Sequence, residues 1–390
     1  MKRLLIRNLI LGLCTVIILF SSHSCKKKDE LPIGDVPKLI TVKIDNIAFS
    51  RATCYGEIVS DGGNSIIEKG FCWSTDSLPS IFNEKSIVTS STTMFSGNLT
   101  GLKTNTTYYV RAFATTKKGT GYGNTLSFKT SETLKLAGGT FTMGSPSTEL
   151  GRSNAEILRE ITISPFNISK YEITNAQFAE FLNSKKIEME GFLRDGIFPN
   201  QILISQSTPP FDWGLHYDSN KWVPVAGYEN YPAIFVTWFG AAEYAYYAGG
   251  RLPTEAEWEY ACRAGTNTAF NTGDCINESQ ANFVWSVTYG KCPKIAIPNL
   301  NHTVEVGHFP PNAFGIYDMH GNVDEWCNDW YGPYETGPQT NPTGPATGGQ
   351  KVIRGGNYIG SPLQCRSGYR TNSGPKTIGG YLGFRIVLPD

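Results

Sequence analysis

Sulfur and carboxylate groups give this sequence its main capacity for chemistry. The 390 residues include nine cysteines, five of which fall in the C-terminal two thirds of the chain. Thiols form disulfides in oxidising compartments and, as thiolates, bind soft metal ions. We interpret these five cysteines as disulfide or core residues and not as metal ligands. They are Cys262, Cys275, Cys292, Cys327 and Cys365.

No catalytic residue is predicted from its own surroundings in the sequence. His302, His308 and His320 lack the spacing of a zinc or iron site. Glu255 and Glu257 stand at a predicted helix start, so we do not expect them to act as a general acid and base. The sequence also contains no G-x-S-x-G, Walker or dinucleotide-binding motif.

The first residues have the pattern of an export signal. Lys2 and Arg3 precede an apolar run over residues 9–20, and small polar residues then lead to Cys25. This run is too short to span a bilayer as a stable helix. We predict that residues 1–24 are a lipoprotein signal peptide and that Cys25 is lipidated. The alternative is an ordinary signal peptide that leaves Cys25 as a spare thiol.

A polar tether is expected to follow, over residues 25–36, because this segment cannot bury itself. It resembles the surface-export signals of Bacteroidetes-type lipoproteins. We predict that the protein lies in the cell envelope, where the lipid on Cys25 anchors it in the outer membrane. One such arrangement exposes the protein at the cell surface. Lys and Arg total 34, as do Asp and Glu, so no net charge favours a nucleic-acid partner.

Short strand-forming runs separated by turn residues occupy residues 37–132. In the run YYVRAFA, alternation places Tyr108, Val110 and Ala112 on one face. The longer run LKTNTTYYVRAFA resembles a stretch of fibronectin type III domains, and this resemblance makes Tyr108 a tyrosine-corner residue. We therefore predict an all-β, immunoglobulin-like sandwich of the fibronectin type III kind. Cys54 is in phase with its core positions.

Three helices are predicted in the rest of the chain. The first runs from Thr174 to Leu182, and the second starts near Thr237 and ends at the glycine pair 249–250. In the run RLPTEAEWEYACRAG, Thr254 and the acids that follow it predict a third helix start.

Six motifs in this region follow one another in the order that is typical of a known family. The match covers Leu134 to Asp390 and resembles the formylglycine-generating enzyme, or sulfatase-modifying factor, family. The resemblance implies a C-type-lectin-like α+β fold over residues 134–390. The motifs are LAGGTFTMGS, SPFNISKYEITNAQFAEFL, YPAIFVTWFGAAEYAYYAGGRLPTEAEWEYACRAG, FPPNAFGIYDMHGNVDEW, VIRGGNY, and CRSGYR with LGFR.

The family's chemistry is the oxidation of a sulfatase cysteine to formylglycine by dioxygen, with copper(I) held by two cysteines. Here only Cys365 lies in that region, inside the strand after the usual ligand positions, which residues 360–362 occupy. We therefore predict no copper(I) site and no catalytic residue of this kind. Asp324 replaces a tryptophan of the family's cleft, whereas Asn357 and Arg366 match cleft positions.

Family resemblance also implies cysteine pairing. Cys262 matches a disulfide position whose partner lies near Cys365, so we expect this pair, with Cys327 as an alternative partner of Cys365. A second expected pair is Cys275 with Cys292, which would close a short loop.

Calcium is the cofactor that the resemblance implies. The expected ligands are a side-chain oxygen of Asp318, the carbonyls of Gly321 and Val323, and the carboxylate of Glu325; hard oxygen donors suit this ion. Asn282 matches part of a second calcium site.

These features predict an envelope-anchored lipoprotein that does not form formylglycine. Binding an exported or envelope protein or a glycan, or a part in envelope assembly, is the expected role, with residues 186–230 and 332–350 as candidate recognition loops. The alternative is a metal-dependent oxidoreductase of the same superfamily that modifies an exported protein.

Overall fold

The computed structural model describes residues 34–45, 47–294 and 297–389. The predicted signal peptide, Cys25 and residues 25–33 of the predicted tether lie outside the described residues. Within the described part of the chain, no helix has the length and apolar character needed to cross a bilayer.

The N-terminal region is a sandwich of two antiparallel sheets. One sheet has the strand order β1-β2-β5 and the other β4-β3-β6-β7, with β8 also paired to β6. The strands are β1 (Lys38–Asp45), β2 (Arg51–Ser60), β3 (Glu68–Ser74), β4 (Glu84–Ile87), β5 (Met94–Thr100), β6 (Thr107–Thr116), β7 (Gly119–Tyr122) and β8 (Leu126–Lys129).

Alternation along the strands builds the core between these two sheets. Tyr108, Val110 and Ala112 of β6 all face this core, as their spacing predicts, and Cys54 of β2 is fully buried there. The Tyr108 hydroxyl accepts a hydrogen bond from the backbone N–H of Lys103 at 3.0 Å, so this side chain also fixes the turn that precedes β6.

The C-terminal region contains short strands around three helices. The chain's last strand pairs with β12, which also pairs with β9, so the two ends of this region meet in one sheet. The strands are β9 (Thr133–Leu136), β10 (Gly139–Met143), β11 (Arg159–Ile163), β12 (Phe166–Ser169), β13 (Phe192–Leu193), β14 (Gln201–Ile202), β15 (Leu215–Asp218), β16 (Lys221–Pro224), β17 (Asp324–Trp330), β18 (Gln339–Thr340), β19 (Lys351–Arg354), β20 (Thr371–Ser373), β21 (Leu382–Gly383) and β22 (Val387–Leu388).

The three predicted helices are confirmed, and threonine caps begin all of them. They are α1 (Asn175–Ser184), α2 (Trp238–Tyr247) and α3 (Glu255–Arg263). Thr174 and Thr254 form capping boxes with Gln177 and Glu257, so the side chains satisfy backbone N–H groups that lack helical partners. Thr237 caps α2 through the N–H of Gly240.

The two regions share a packed contact. Phe49, from the N-terminal region, is buried in the core that surrounds α1 and α2. The Arg51 guanidinium lies 3.9 Å from the ring centroid of Tyr247, and the Ser50 hydroxyl donates to the carbonyl of Ala248. The loop between β1 and β2 therefore anchors the sandwich to α2.

Buried ion pairs connect α3 to the strands around it. Arg354, at the end of β19, is fully buried and contacts the carboxylates of Glu255 and Glu259. Arg370 makes a bidentate pair with Glu255, and Arg263 binds Glu259 at 2.8 Å. Because isolated buried charges are very costly, each of these groups requires its partners for the region to fold.

One disulfide bond joins Cys275 to Cys292, which is the pair expected from their short loop. The bond closes the segment between them on the side of the region that packs around Phe270 and Tyr289. Their sequence separation is 17 residues.

Replacing Arg354 with methionine should destabilise the protein by about 3–5 kcal/mol, because it leaves two buried carboxylates without their shared cation. Urea unfolding of the full chain measures this loss. Arg194→Met is the matched control, since Arg194 is exposed and lies outside this network. An equal effect of the two substitutions would show that the network does not stabilise the fold.

Removing the disulfide with the double substitution Cys275→Ser and Cys292→Ser should cost about 3 kcal/mol, because it frees a short loop in the unfolded chain. Reductant should have the same effect on the wild-type protein and none on the double variant. A wild-type melting temperature that does not respond to reductant would contradict this prediction.

Candidate functional site

An open groove lies where β17, β19, β20 and β21 meet in one four-stranded sheet. Its volume is about 390 Å³. Asp324 and Asn357, which were predicted as cleft residues, both line it. Hydrogen-bonding side chains provide much of the remaining wall, including Gln364, Thr371, Asn372, Ser373, Thr377 and Tyr381.

Backbone geometry places the two predicted residues against each other. Asp324 opens β17, and its backbone N–H donates to the carbonyl of Tyr381 at 2.8 Å. Asn357 follows Gly355 and Gly356, both of which have positive φ. A Cβ on Gly356 would lie 2.8 Å from the Cys365 sulfur, so only glycine fits this turn.

A hydrogen bond of 2.7 Å joins the Asn357 amide nitrogen to the Asp324 carboxylate. The Asn357 carbonyl oxygen accepts from the Ile359 N–H, which fixes the orientation of the amide. Burial raises the pKa of Asp324 to about 7, whereas the bond from Asn357 acts in the opposite direction. Asp324 is therefore a buried carboxylate held by a neutral donor at the base of the groove.

Arg366, the third predicted cleft residue, does not line the groove. It is fully buried and pairs with Glu149 at 2.6 Å and with Glu156 at 2.7 Å. A guanidinium in the protein interior requires carboxylate partners, and these two come from a distant loop. Nothing in the spacing of Glu149 and Glu156 along the chain indicated this pairing.

The predicted disulfide between Cys262 and Cys365 is wrong, because both thiols are free and buried in the structure. Cys327, the alternative partner, is also free. Cys365 lies in a turn between β19 and β20, and not in a strand as predicted. Its sulfur lies 3.7 Å from the carbonyl oxygen of Ser361.

The imidazole of His320 occupies the space beside the two thiols. Its Nε2 accepts from the Asn271 N–H at 3.0 Å, so Nδ1 carries the proton and donates to the Cys365 carbonyl at 2.6 Å. Both ring nitrogens lie 3.8–3.9 Å from the Cys262 sulfur. Burial lowers the pKa of His320 to about 4, which keeps the ring neutral in this role.

The predicted calcium ligands fit that ion poorly as a set. Both oxygens of Glu325 are engaged by the Arg385 guanidinium, and one also accepts from the Trp258 indole N–H at 2.7 Å. Arg385 therefore already neutralises the carboxylate that was expected to bind calcium. At the other predicted ligand positions, the Gly321 N–H donates a hydrogen bond to the carbonyl of Gly355, and Val323 is fully buried. Across the described residues, no cluster of three or more His, Cys, Asp or Glu side chains is arranged to hold a metal ion.

Some buried side-chain oxygen atoms near the predicted calcium ligands have no hydrogen-bond partner in the structure. One carboxylate oxygen of Asp318 accepts from the Gly307 N–H, whereas its Oδ1 is buried and makes no hydrogen bond. The Oδ1 of Asn282 is likewise buried and unpaired, although its Nδ2 donates to the His302 carbonyl. Burying a polar oxygen without a hydrogen-bond partner costs free energy. A bound hard cation would supply the missing partner.

The two candidate recognition loops differ in what they contribute. The 186–230 segment folds into two hairpins, and its Trp222 is buried in the core. The 332–350 segment lines a separate cavity of about 300 Å³. There, Tyr334 lies between the guanidinium groups of Arg159 and Arg370, at 3.7 and 3.9 Å from its ring centroid.

Comparisons with known proteins agree with this architecture. Residues 122–389 match the family described as "Sulfatase-modifying factor enzyme 1-like domain". The formylglycine-generating enzyme of Mus musculus is 31% identical over 276 residues, covering 65% of this chain and 74% of that enzyme. The formylglycine-generating enzyme of Streptomyces coelicolor is 32% identical over 279 residues, covering 65% of this chain and 88% of that protein.

Two further similarities extend beyond proteins of that name. The serine/threonine-protein kinase pkn1 of Chlamydia caviae is 35% identical over 261 residues, covering 66% of this chain but only 38% of the kinase. The solved structure of PvdO from Pseudomonas aeruginosa has a TM-score of 0.51 and 30% identity, covering 67% of this chain and 95% of PvdO. From its matched residues and its relatives, the chain belongs to the sulfatase-modifying factor enzyme 1-like domain family.

Proposed function

We propose that this protein is an envelope-anchored lipoprotein that binds an exported protein or a glycan in the groove around Asp324 and Asn357, and that it does not form formylglycine. The observation that carries the proposal is the chemistry of the groove wall. Among the described residues, that wall consists of carboxylate, amide, hydroxyl, aromatic and aliphatic groups and includes no sulfur atom. Such a surface suits recognition by hydrogen bonds.

The buried thiols also argue against copper(I) chemistry of the family type. Copper(I) requires soft thiolate ligands. Burial raises the pKa of Cys262 to about 12 and also raises the pKa of Cys365, which disfavours the thiolate form in the protein without a metal ion. Cys365 lies beneath the turn at Gly356 and is screened from solvent.

Anchoring is proposed from the first 36 residues, through the export signal and a lipid on Cys25. We further propose that residues 37–132 form a fibronectin type III module that acts as a spacer. The two-sheet strand order and the Tyr108–Lys103 hydrogen bond support that proposal. We assign residues 134–390 to the C-type-lectin-like α+β fold that the family resemblance implies. For a part in envelope assembly, the other envelope component would bind in the same groove.

Substituting Thr371 with tryptophan should abolish binding, because the indole fills the groove from β20. Peptide and glycan arrays probed with the purified protein measure this effect. Thr343→Trp is the matched control, since Thr343 lines the separate cavity beside Tyr334. Equal loss of array signal in both variants would rule out the groove as the binding site.

Copper(I) titration and oxygen uptake with a cysteine-containing peptide test the alternative oxidoreductase function. We expect no tight cuprous ion and no aldehyde product. Formation of the aldehyde at a rate that depends on copper would overturn the non-catalytic proposal.

We also propose that calcium binds beside Asn282, whose buried Oδ1 has no partner in the protein. Calcium at about 100 times its dissociation constant should stabilise the fold by about 2.7 kcal/mol, seen as a higher melting temperature than in chelator. Asn282→Ala should remove this dependence on calcium, whereas Asn277→Ala, at an exposed turn, should retain it. Identical melting of the wild type in calcium and chelator would contradict the proposal.

A further inference from the structure

Asp324 is one of several buried acids, with Glu172, Asp318 and Asp329, that form no ion pair among the described residues, and it is the one that lines the groove. Glu156, Glu255, Glu259 and Glu325 each form an ion pair with a buried arginine. Among the described residues, no lysine, arginine or histidine pairs with Asp324, and its side-chain hydrogen bond comes from the neutral amide of Asn357. Unlike these four glutamates, Asp324 meets the groove without an arginine beside it.

The groove wall strengthens this contrast. Asp324 is the one charged residue in the part of the wall that the structure describes, and it is only 8% exposed. A carboxylate with so little water around it interacts strongly with any cation that reaches it. The described groove wall offers no lysine or arginine to an anionic ligand, so it favours cationic ligands over acidic peptides and sulfated or sialylated glycans.

The remaining wall suits the rest of a basic side chain. Tyr369 and Tyr381 line the same groove and offer ring surfaces to an aliphatic stem. Gln364 and Asn372 supply carbonyl oxygens that can accept the remaining N–H bonds of an ammonium or guanidinium group. The Asn357 amide, fixed by the Ile359 N–H, holds the carboxylate in one orientation and pre-organises it.

We propose that Asp324 makes the groove a binding site for a protonated amine or guanidinium group, supplied by a lysine or arginine side chain of an exported protein. This inference rests on the proposed binding function and specifies its ligand class. The ligand's cation would lie beside Asp324 as buried arginines lie beside Glu255, Glu259 and Glu325.

Short peptides that differ only in side-chain charge test this proposal. The probes are Gly-Ser-Lys-Ser-Gly and the same peptide with norleucine at the centre, and a second pair with arginine and citrulline. Titration calorimetry with the full-length, non-acylated chain should show at least about tenfold tighter binding of each charged peptide, as expected for one charge-assisted hydrogen bond. Asp324→Asn keeps the shape of the side chain and should abolish this preference. The control Glu335→Gln removes an acid from the separate cavity and should leave it unchanged.

A second variant keeps the test decisive if Asp324→Asn folds poorly. Thr371→Lys places an internal ammonium group in the groove and should abolish the preference, whereas Thr343→Lys, in the separate cavity, should retain it. Equal binding of the lysine and norleucine peptides by the wild type would overturn the inference. Neutral glycan binding that is lost in Thr371→Trp, without any preference for basic peptides, would also overturn it while leaving the proposed groove function intact.

Discussion

The C-terminal region depends on ion pairs between side chains that are buried away from water. Its strands are short and it has three helices, so buried arginine side chains connect segments that backbone hydrogen bonds do not. Arg354 and Arg370 connect α3 to β19 and to the segment before β20, and Arg385 connects the end of the chain to β17. Each guanidinium also binds backbone carbonyls, so a single buried cation fixes several loops together.

Strand β17 shows how the same constraint shapes the groove. Successive residues on a strand point to opposite faces, so Asp324 and Glu325 lie in different environments. Glu325 points into the interior, where Arg385 and Trp258 engage it. Asp324 points to the groove, where neutral donors, chiefly the Asn357 amide, reach it. One strand thus carries both a structural ion pair and the acid that we assign to ligand recognition.

Membership in the sulfatase-modifying factor family explains the scaffold more fully than the activity. The motifs that carry the helices and LGFR follow the order that the family resemblance implies, whereas the groove carries Asp324 and Gly360 where the resemblance implies a tryptophan and a copper ligand. Cys262 and Cys365 remain in the interior, and His320, a neutral ring, contacts the Cys262 sulfur and donates to the Cys365 carbonyl. Both thiols are buried, and the described wall of the groove presents oxygen, nitrogen and carbon atoms.

Local features of the sequence determined the helices, because a threonine cap and an acid or amide three residues later act within one turn. Alternation likewise determined which face of β6 is buried, and a short loop determined the Cys275–Cys292 bond. The tertiary structure alone decided the partners of groups that are far apart in the chain. Arg366 binds acids more than 200 residues earlier, Glu325 pairs with Arg385, and Cys262 meets His320 instead of Cys365. Such choices depend on which charged groups lose water together, and that is set by the packing of the whole domain.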